Sequence, residues 1–485
     1  MKDNNKKVIS IRKEILNSKF IIKDQKSNDI KISNSSIQYS IKQRLYQLLI
    51  NLDFNKKILN FFNNKKKVLH PLPPQWIKLL EKRGVKVSLF SHVMFQIFKL
   101  KVILKSLKIV VFALNFKETK IPNKFYYVHN INKDILQKNN NNFYLWIDNF
   151  FNENINILTH NYFKKDDFEN GKFKILKYDI FQIKSIKIFL KIFLFYIKKN
   201  IEFLLYNSLF IIILDELIKL EIISINKIQL PNRVLIDNSD IIFKPLWTYY
   251  LEDQNCDCNV FFYSTNNSPI IFENQDQNQM SDLITHGWEL MNWKKYLVWN
   301  DNQMNFFVNY FKIEKKNFII AGPIPYEGGK IFNIKSQKKI ISVFDVSPFE
   351  YNYYKNMCLP AYYYSFKNLK KFYDDLCKIT NKFDINLVFK IKRISKYTDK
   401  NYVNYINKLK KLGYIINEDY SSFDLIKSSE KVISMPFSSP SIVAKDFNIK
   451  SVFFDPTDKL IFLNKNKLFN YDVDILNKKE LEKWI

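Results

Sequence analysis

Three residue types that carry much of protein chemistry are scarce in this sequence. Of 485 residues only 7 are Gly, 4 are Cys and 5 are Arg, although Lys and Arg together number 76 and the net charge is +29. Recognition of base edges favours the planar fork of Arg, so a charge made almost wholly of Lys gives poor support for nucleic-acid binding. Lys, Asn, Ile, Phe and Tyr are abundant together, which is typical of an AT-rich coding sequence. We therefore expect no nucleic-acid partner.

The sequence also lacks a disulfide framework and a membrane span. Cys256 and Cys258 are too close together for a Cys-x-x-Cys clamp, and no His follows them at zinc spacing. The N-terminus has no apolar signal-peptide core, and no run of about 18 uncharged apolar residues occurs. We expect a cytoplasmic protein, with association with the inner face of the cytoplasmic membrane as an open alternative.

The most apolar segment, residues 188–214, has two interpretations. It contains IFLKIFLFYI and FLLYNSLFIIIL, which Lys198, Lys199 and Glu202 separate. We favour a buried helix, and the alternative is an amphipathic segment that lies on a membrane surface. A Lys-rich surface is attracted to anionic lipids by about 1 kcal/mol per well-placed cation. Peripheral contact with an anionic membrane is therefore retained as a hypothesis.

The length of the chain exceeds what one hydrophobic core usually serves, so two or three domains are expected. Residues 1–105 are polar and then helix-like, which predicts a mostly helical N-terminal extension. In residues 106–330, strand-like runs such as FYYVHN, RVLID and FIIAG alternate with helical runs and predict a first Rossmann-like domain. The segment PIPYEGGK (323–330) is a candidate linker to a second Rossmann-like domain at 331–485.

Residues 331–485 have the clearest alternation of strand and helix. Strands are predicted at 339–346, 385–392, 413–417, 431–435 and 451–455, and helices at 361–380, 401–413, 422–429 and 440–448. Such alternation is typical of a parallel, doubly wound sheet, in which ligands bind outside the carboxyl ends of the strands. The residues that directly follow each strand are therefore the candidate site residues.

The fourth of these strands is followed by PFSSPS (436–441). Ser439 is a suitable N-cap, and Pro440 suits the first helical position, where no amide donor is missed. Free amides, hydroxyls and the positive end of the helix would converge at this turn, so we predict that Ser438, Ser439 and Ser441 bind an anion. The alternative is that these serines only cap the helix.

Cations lie at the carboxyl end of the predicted strand at 385–392. Lys390 and Lys392 are two residues apart and so share a face of a strand, and Arg393 is one of the few arginines. A diphosphate needs cations at this edge of the sheet, and we predict that these three side chains flank it. The alternative is a solvated edge in a Lys-rich protein.

Three further side chains are candidates for chemistry. Asp345 follows the first of the C-terminal strands and is a candidate general base, although it could instead form an Asx-turn. His286, in THGWE, could act as a base or bind a phosphate, or could be structural. Asp455 follows the last strand and could accept hydroxyl groups of a ribose or a sugar, or cap a turn.

Several segments together resemble one known family. The sequence resembles the bacterial surface polysaccharide biosynthesis proteins named for a Pro-Phe-Thr-Ser motif, which stands here as Pro436-Phe437-Ser438-Ser439, with Ser for Thr. The resemblance also covers, in order, PLWTYYLE (245–252), FFYSTN (261–266), HGWELMNW (286–293), VWNDNQ (298–303), AGPIP (321–325), VFDVSP (343–348) and KIKR (390–393).

The resemblance implies an α/β fold of the GT-B type, with two Rossmann-like domains facing a cleft and a mostly helical N-terminal extension. It also implies a glycosyltransferase of capsule or O-antigen assembly. By analogy with bacterial sialyltransferases and teichoic acid glycerophosphotransferases, the serines at 436–441 would hold the donor phosphate. Asp345 or His286 would deprotonate the acceptor. The sialyltransferases have a His-Pro pair where this chain has KIKR (390–393), so the donor could differ.

We therefore expect an enzyme that moves a sugar from a nucleotide-activated donor to a glycan or a lipid-linked glycan. There is no Walker loop, no G-x-G-x-x-G, no H-E-x-x-H and no Asp-x-Asp motif, so we expect no cofactor and no metal. The alternative is a non-catalytic GT-B-like protein that binds glycan or assembly partners at the membrane.

Overall fold

A computed structural model describes most of the chain. The described residues are 32–50, 52–114, 124–129, 141–160, 167–205, 209–225, 230–237, 243–262, 264, 288–324, 340–350, 353, 362–383, 385–392, 394–417, 420–458, 473–485 and seven residues between 4 and 15. His286 and Arg393, both predicted site residues, lie outside the described residues.

The chain divides into two compact units. The first comprises Met1–Ile131, Glu153–Val260 and Thr285–Lys295, and the second comprises Asn132–Asn152, Phe261–Ile284 and Tyr296–Ile485. The cavity and the turn that form the candidate sites below each lie within one of these units. The domain boundaries expected from the sequence at 105 and 330 stay predictions.

The described N-terminal region is helical, as predicted. It contains α1 (Asn34–Ile50), α2 (Leu52–Asn64), α3 (Pro74–Lys82) and α4 (Phe90–Ala113). Helix α3 begins at Pro74, where the missing amide hydrogen costs no hydrogen bond and the ring fixes φ near the helical value. The proline-rich segment at 70–76 therefore separates two helices, and the following apolar run forms the long helix α4.

An eight-stranded sheet follows, and five helices lie between its strands along the chain. Its strands are β1 (Tyr126–His129), β2 (Ile157–His160), β3 (Phe168–Asn170), β4 (Phe173–Lys177), β5 (Arg233–Asp237), β6 (Asp257–Phe261), β7 (Lys295–Val298) and β8 (Phe318–Ile320). The helices are α5 (Asn141–Phe151), α6 (Ile186–Leu205), α7 (Leu214–Ile225), α8 (Leu246–Asp253) and α9 (Asp301–Phe311).

The order of strands in this sheet is β3-β4-β2-β1-β5-β6-β7-β8. Strand β3 is antiparallel to β4, whereas β1 pairs in parallel with both β2 and β5. Strands β1 and β5 are buried along almost their whole length. Such continuous apolar strands are typical of a parallel sheet that helices cover on both faces.

A six-stranded sheet occupies the C-terminal part of the chain. Its strands are β9 (Ile340–Phe344), β10 (Asn386–Lys390), β11 (Ile415–Asn417), β12 (Lys431–Ser434), β13 (Lys450–Phe454) and β14 (Ile475–Leu476). The helices are α10 (Phe366–Thr380), α11 (Lys400–Lys411), α12 (Ser422–Lys427), α13 (Ser439–Asp446) and α14 (Lys478–Trp484). All five strand pairs are parallel.

The elements predicted for residues 331–485 are therefore confirmed. Gly413, expected to close the helix before it, has φ +88°, the left-handed conformation that glycine adopts at no steric cost. A single core of Leu, Ile, Val and aromatic side chains joins β9, β10, α10 and α11. The fold is α/β with two parallel sheets and a helical N-terminal region.

The apolar segment at 188–214 follows neither interpretation throughout. Residues 210–213 are buried, as favoured, but α6 buries one face and exposes the other. Among the described residues, no helix has the length and the apolar character that a membrane crossing requires.

Candidate functional site

The second sheet has a topological switch point between β9 and β12. The strand order is β11-β10-β9-β12-β13-β14, so the chain first winds toward one edge and then restarts at β12 toward the other. Connections on either side of this point leave in opposite directions and open a crevice at the carboxyl ends of the two strands. The segments that follow β9 and β12 are therefore where a doubly wound sheet of this kind places its ligand.

The turn after β12 has an unusual backbone. Phe437 has φ +63°, a left-handed conformation that is strained for a bulky residue. Its ring lies 6.1 Å from that of Phe453, and the Tyr364 hydroxyl donates a hydrogen bond of 2.9 Å to the Pro436 carbonyl. Strained residues of this kind persist where surrounding contacts hold them, often at functional sites. The contacts here hold the reversal that starts α13.

Helix α13 begins one residue earlier than the capping pattern predicts. Ser438 rather than Ser439 is the N-cap, with extended backbone and no side-chain capping bond. The Ser438 hydroxyl instead donates 2.7 Å to the Met435 carbonyl and fixes the turn. The first amides of a helix have no intrahelical partner, so the start of α13 is suited to an anion.

The three predicted serines have different surroundings. The Ser441 hydroxyl is fully buried, lies 2.6 Å from the Ser434 hydroxyl and donates 2.9 Å to the Val452 carbonyl. Ser441 thus joins α13 to the sheet. Ser438 is buried as well, whereas Ser439 is only partly buried. Of the three, Ser439 is best placed to meet a ligand.

Asp345 follows β9 on the other side of the switch point. Its Oδ1 accepts the Lys392 amide at 2.9 Å, and its Oδ2 accepts the hydroxyls of Tyr373, at 2.7 Å, and of Tyr402. Burial raises the pKa of Asp345, while these hydrogen bonds oppose the rise. The carboxylate holds the end of β9 to the segment after β10. That it acts as a general base stays a prediction.

The predicted cations lie at the same edge of the sheet. Strand β10 ends at Lys390, which is in register with Phe344 of β9. Lys392 lies beyond the strand and is exposed, and its carbonyl accepts the Ser347 hydroxyl at 2.9 Å. Lys390 thus ends the strand next to the switch point and Lys392 follows it, so the two lysines do not alternate along one strand.

Asp455 caps a turn, which is the alternative to binding sugar hydroxyls. Its Oδ1 accepts the Thr457 amide at 2.8 Å, the Thr457 hydroxyl at 2.7 Å and the Tyr363 hydroxyl at 2.8 Å. A role in binding ribose or sugar hydroxyls stays a prediction. In the part of the chain that is described, no three His, Cys, Asp or Glu side chains are grouped as metal ligands.

A cavity of about 170 Å³ lies at the switch point of the first sheet. That point falls between β1 and β5, which pair in parallel with His129 beside Ile236. The cavity is lined by Arg44, Gln47, Lys105, His129, Glu216, Lys219, Ile236, Asp237, Phe243, Pro245, Val260 and Trp293. It is therefore in the same topological position as the crevice of the second sheet.

The charges beside this cavity are paired with one another. Arg44 lies 3.1 Å from Asp215 and 3.4 Å from Glu216, Lys105 lies 2.7 Å from Asp215, and Lys219 lies 3.1 Å from Glu216. Burial raises the pKa of Asp215, but Arg44, Lys105 and Lys219 outweigh burial and leave that pKa below its usual value. Because cations and carboxylates alternate, the cluster makes no strong demand for an anionic ligand.

His129 is held rigidly at the wall of the cavity. Its ring centroid lies 4.9 Å from that of Trp247, and the Tyr127 hydroxyl lies 3.4 Å from both His129 Nδ1 and Asp179 Oδ1. Burial and the nearby charge of Lys219 hold the pKa of His129 well below its usual value. The imidazole is therefore neutral at physiological pH.

Sequence reasoning missed His129 and Asp237. Both are the last residues of parallel strands, in the runs FYYVHN and RVLID that the sequence marks as strands. The rule that selected Asp345, a polar residue at the carboxyl end of a strand, would have selected them. The alternation of strands and helices is less clear in the first half of the chain, which hides these two positions.

The fold and the turn define an α/β protein with a candidate anion site at a Rossmann-type switch point. The chain belongs to the family of polysaccharide biosynthesis PFTS motif proteins, whose model matches residues 192–485. The match includes the turn at Pro436–Ser439 and much of the cavity, but four lining residues precede it, namely Arg44, Gln47, Lys105 and His129.

Solved structures offer only distant similarity. UDP-GlcNAc 2-epimerase from Methanocaldococcus jannaschii is 12% identical, with 74% of this chain and 90% of that chain covered and a TM-score of 0.37. For SsfS6, a glycosyltransferase of Streptomyces sp. SF2575, the identity is 6%, the coverage 68% and 82%, and the TM-score 0.28. A comparison with curated protein sequences finds no significant match.

Proposed function

We propose that this protein is a glycosyltransferase that moves a sugar from a nucleotide-activated donor to an acceptor glycan during synthesis of a surface polysaccharide, such as a capsule or O-antigen. The observation that carries the proposal is the strained turn at Pro436–Ser439, which starts α13 at the switch point of the second sheet. Membership of a polysaccharide biosynthesis family supports the class of product.

The donor diphosphate is assigned to the start of α13. The amides of its first turn and the Ser439 hydroxyl would donate to phosphate oxygens, and the helix dipole favours negative charge there. Lys390 and Lys392, with Arg393 from the sequence prediction, would neutralise the leaving nucleotide. Because these groups are cationic, we propose that no metal ion is needed.

The acceptor sugar is assigned to the cavity of the first unit. At about 170 Å³ the cavity is smaller than the roughly 300–1,000 Å³ of sites for drug-sized ligands, so a single sugar ring is suited to it and a nucleotide is not. Trp293 and Phe243 offer apolar surface, and Asp237 and His129 offer polar atoms for hydroxyl groups. The paired charges favour a neutral sugar.

In the transfer, an acceptor oxygen forms a bond to the anomeric carbon as the bond from that carbon to the diphosphate breaks. The electrons of the broken bond leave with the phosphate, and the acceptor proton passes to a base. Asp345 and His286 remain proposed bases. His129 is better suited to a hydrogen bond with an acceptor hydroxyl than to the role of base, because burial disfavours its protonated form.

Nucleotide affinity tests the donor site. We expect Ser439→Ala to weaken binding of UDP, GDP or CMP, whichever binds, by roughly tenfold, because one hydrogen bond to a charged oxygen is lost. Ser441→Ala is the matched control and should leave the affinity unchanged. Calorimetry on both variants measures this, and unchanged affinity in Ser439→Ala would remove the assignment.

Acceptor kinetics test the cavity. We expect His129→Gln to raise the acceptor KM or lower kcat by roughly tenfold or more while nucleotide affinity is retained. His160→Gln, at the end of the neighbouring strand β2 and outside the cavity lining, is the control. A protein that only binds glycan would release no nucleotide from a nucleotide sugar even with acceptor present.

A further inference from the structure

Helices α4 and α6 pack side by side in opposite directions. The Ile183 amide, just before α6, donates 2.7 Å to the Ala113 carbonyl at the end of α4. Further along, the Tyr196 hydroxyl of α6 donates 3.3 Å to the Ile103 carbonyl of α4. As residue numbers fall along α4 they rise along α6, so the two helices form an antiparallel pair within the first unit.

The outward sides of this pair are apolar. Of 23 large hydrophobic side chains that are exposed in the described residues, 13 belong to these two helices. On α4 they are Phe90, Val93, Ile97, Leu100, Leu104, Val111 and Phe112, and on α6 they are Ile186, Leu190, Leu194, Ile197, Ile201 and Leu204. We call these 13 side chains the α4–α6 face.

The spacing of these residues shows that each helix exposes one stripe. Intervals of three or four residues place side chains on the same side of a helix. The opposite side of α4 buries Phe95, Val102 and Val110, and that of α6 buries Ile192 and Tyr196. Phe112 is 76% exposed and Leu194 is 64% exposed, and they belong to continuous stripes rather than to scattered positions. Apolar patches of this kind mark surfaces that bind a partner or a membrane.

The charge around the α4–α6 face is of one sign. Helix α4 contains no acidic residue, and the one acidic residue of α6, Glu202, pairs with Lys199 at 2.9 Å. Exposed lysines accompany the face at Lys101, Lys108, Lys184, Lys187, Lys191 and Lys198. Apolar stripes flanked by lysines are complementary to an anionic bilayer, where apolar side chains enter the interface and cations meet lipid phosphates.

We infer that the α4–α6 face lies on the surface of an anionic lipid bilayer. Both helices lie flat in the interface, with the apolar stripes inserted and the lysines at the level of the headgroups. The helices stay attached to the rest of the first unit through their buried sides, which pack against α7. A second copy of the chain would offer the same lysines and would meet them with like charge, so an anionic membrane is the better occupant.

The position of the α4–α6 face beside the cavity indicates which class of acceptor the cavity would bind. Lys105 of α4 lines the cavity, and its neighbour Leu104 is 58% exposed in the α4–α6 face. A glycan joined to a lipid could thus enter the cavity while its lipid remains in the bilayer. This step rests on the proposed function and assigns a lipid-linked acceptor.

Vesicle binding by the full chain tests the surface. We expect co-sedimentation with vesicles of phosphatidylglycerol and phosphatidylcholine, at least about tenfold stronger than with phosphatidylcholine alone and weakened by salt. The double variant Leu100→Glu/Leu194→Glu should lose binding by about tenfold or more. The matched control Phe383→Glu/Leu412→Glu changes two exposed apolar residues of the second unit and should bind as the unaltered protein does.

Three results would overturn the inference. The first is failure of the unaltered protein to bind the anionic vesicles, and the second is equal binding by both double variants. The third is a lipid-free dimer in light scattering that only Leu100→Glu/Leu194→Glu dissociates, which would make the face a self-association surface. Nucleotide affinity of the same variants is independent of these results, so failure of the surface and failure of the donor site are distinguishable.

Discussion

Phe437 stands at the centre of the family motif and carries its strain. A left-handed φ of +63° costs an L-residue with a side chain roughly 1–2 kcal/mol, yet the ring is buried against Phe453. Burial of the ring compensates for the strained backbone, and that backbone directs the next amides into the start of α13. One residue therefore joins packing to the geometry of the candidate anion site.

At Phe437 the Gly variant should be more stable than the Ala variant, which is the reverse of the usual order. Both Phe437→Ala and Phe437→Gly lose the ring, at about 3–5 kcal/mol. Gly adopts φ +63° without strain, so we expect Phe437→Gly to be about 1 kcal/mol more stable than Phe437→Ala. At Phe453, in strand β13, the Gly variant should be the less stable one. Denaturant unfolding of all four variants measures the order.

The contribution of Asp345 to the stability of the folded protein should decrease as the pH rises. Its folded pKa is raised, so the folded protein binds this proton more tightly than the unfolded chain does. Its contribution to stability is full below the ordinary Asp pKa of about 3.9 and is lost as the pH rises through the folded pKa. We expect Asp345→Asn to gain stability relative to the unaltered protein as the pH rises from about 4 to 7.

Asp375 supplies the control of opposite sign. Burial raises the pKa of Asp375, but hydrogen bonds from Lys371 and Lys478 outweigh burial and leave that pKa lowered. Its contribution is present above the ordinary pKa and is lost as the pH falls. Asp375→Asn should therefore lose stability relative to the unaltered protein over the same rise in pH. Unfolding at several pH values checks both, and equal slopes would contradict the assignment for Asp345.

At the scale of the element, different residues of α13 serve the packing of the fold and the proposed binding of the donor. Its buried side reaches the sheet through Ser441, whose hydroxyl contacts both β12 and β13, while Ser439 at its start is partly exposed. A short helix of this kind has little stability of its own and depends on such contacts. The same eight residues thus contain one serine for the fold and one for the proposed donor.

Ser441→Ala should destabilise the protein without weakening nucleotide binding. The variant leaves the Val452 carbonyl and the Ser434 hydroxyl buried with one partner fewer, at a cost of about 1–3 kcal/mol. Ser439→Ala, at a partly exposed position, should cost much less. Urea unfolding and calorimetry on the two variants measure both effects, and a similar loss of stability in both would contradict this division.

For the whole molecule, the same topology is used twice. Each sheet places its restart beside its first strand, β5 beside β1 and β12 beside β9, and each switch point carries candidate site residues. The first unit adds a cavity with balanced charge and the α4–α6 face, and the second adds the turn of the family motif. Binding of donor, acceptor and lipid is thereby assigned to different parts of one chain.

A bound nucleotide should stabilise the protein against heat. A ligand present at about 100 times its Kd adds roughly 2.7 kcal/mol to the stability of the state that binds it. We expect UDP, GDP or CMP to raise the midpoint of the transition that reports on the second unit. Thermal-shift measurements with each nucleotide identify the base, and no rise with any of them would count against a nucleotide donor.

Much of the fold could be predicted from residue patterns, because strands and helices depend on local periodicity. The elements predicted between residues 331 and 455 match the structure, and Gly413 closes its helix as expected, whereas β14 and α14 were not predicted. Helix α6 was harder to predict, since an apolar run with lysines is compatible with burial or exposure. Only its packing against α4 decides which side is covered.

By itself, the sequence determined the elements, the parallel sheet of residues 331–485 and the turn at Pro436–Ser439, since these depend on neighbours along the chain. Only the tertiary structure decided that Ser441 serves the fold, that Asp345 is held by two tyrosines, and that Arg44 meets residues about 170 positions away at the cavity. Such contacts form when distant segments pack, and no local pattern records which hydroxyl or carboxylate the packing will enclose.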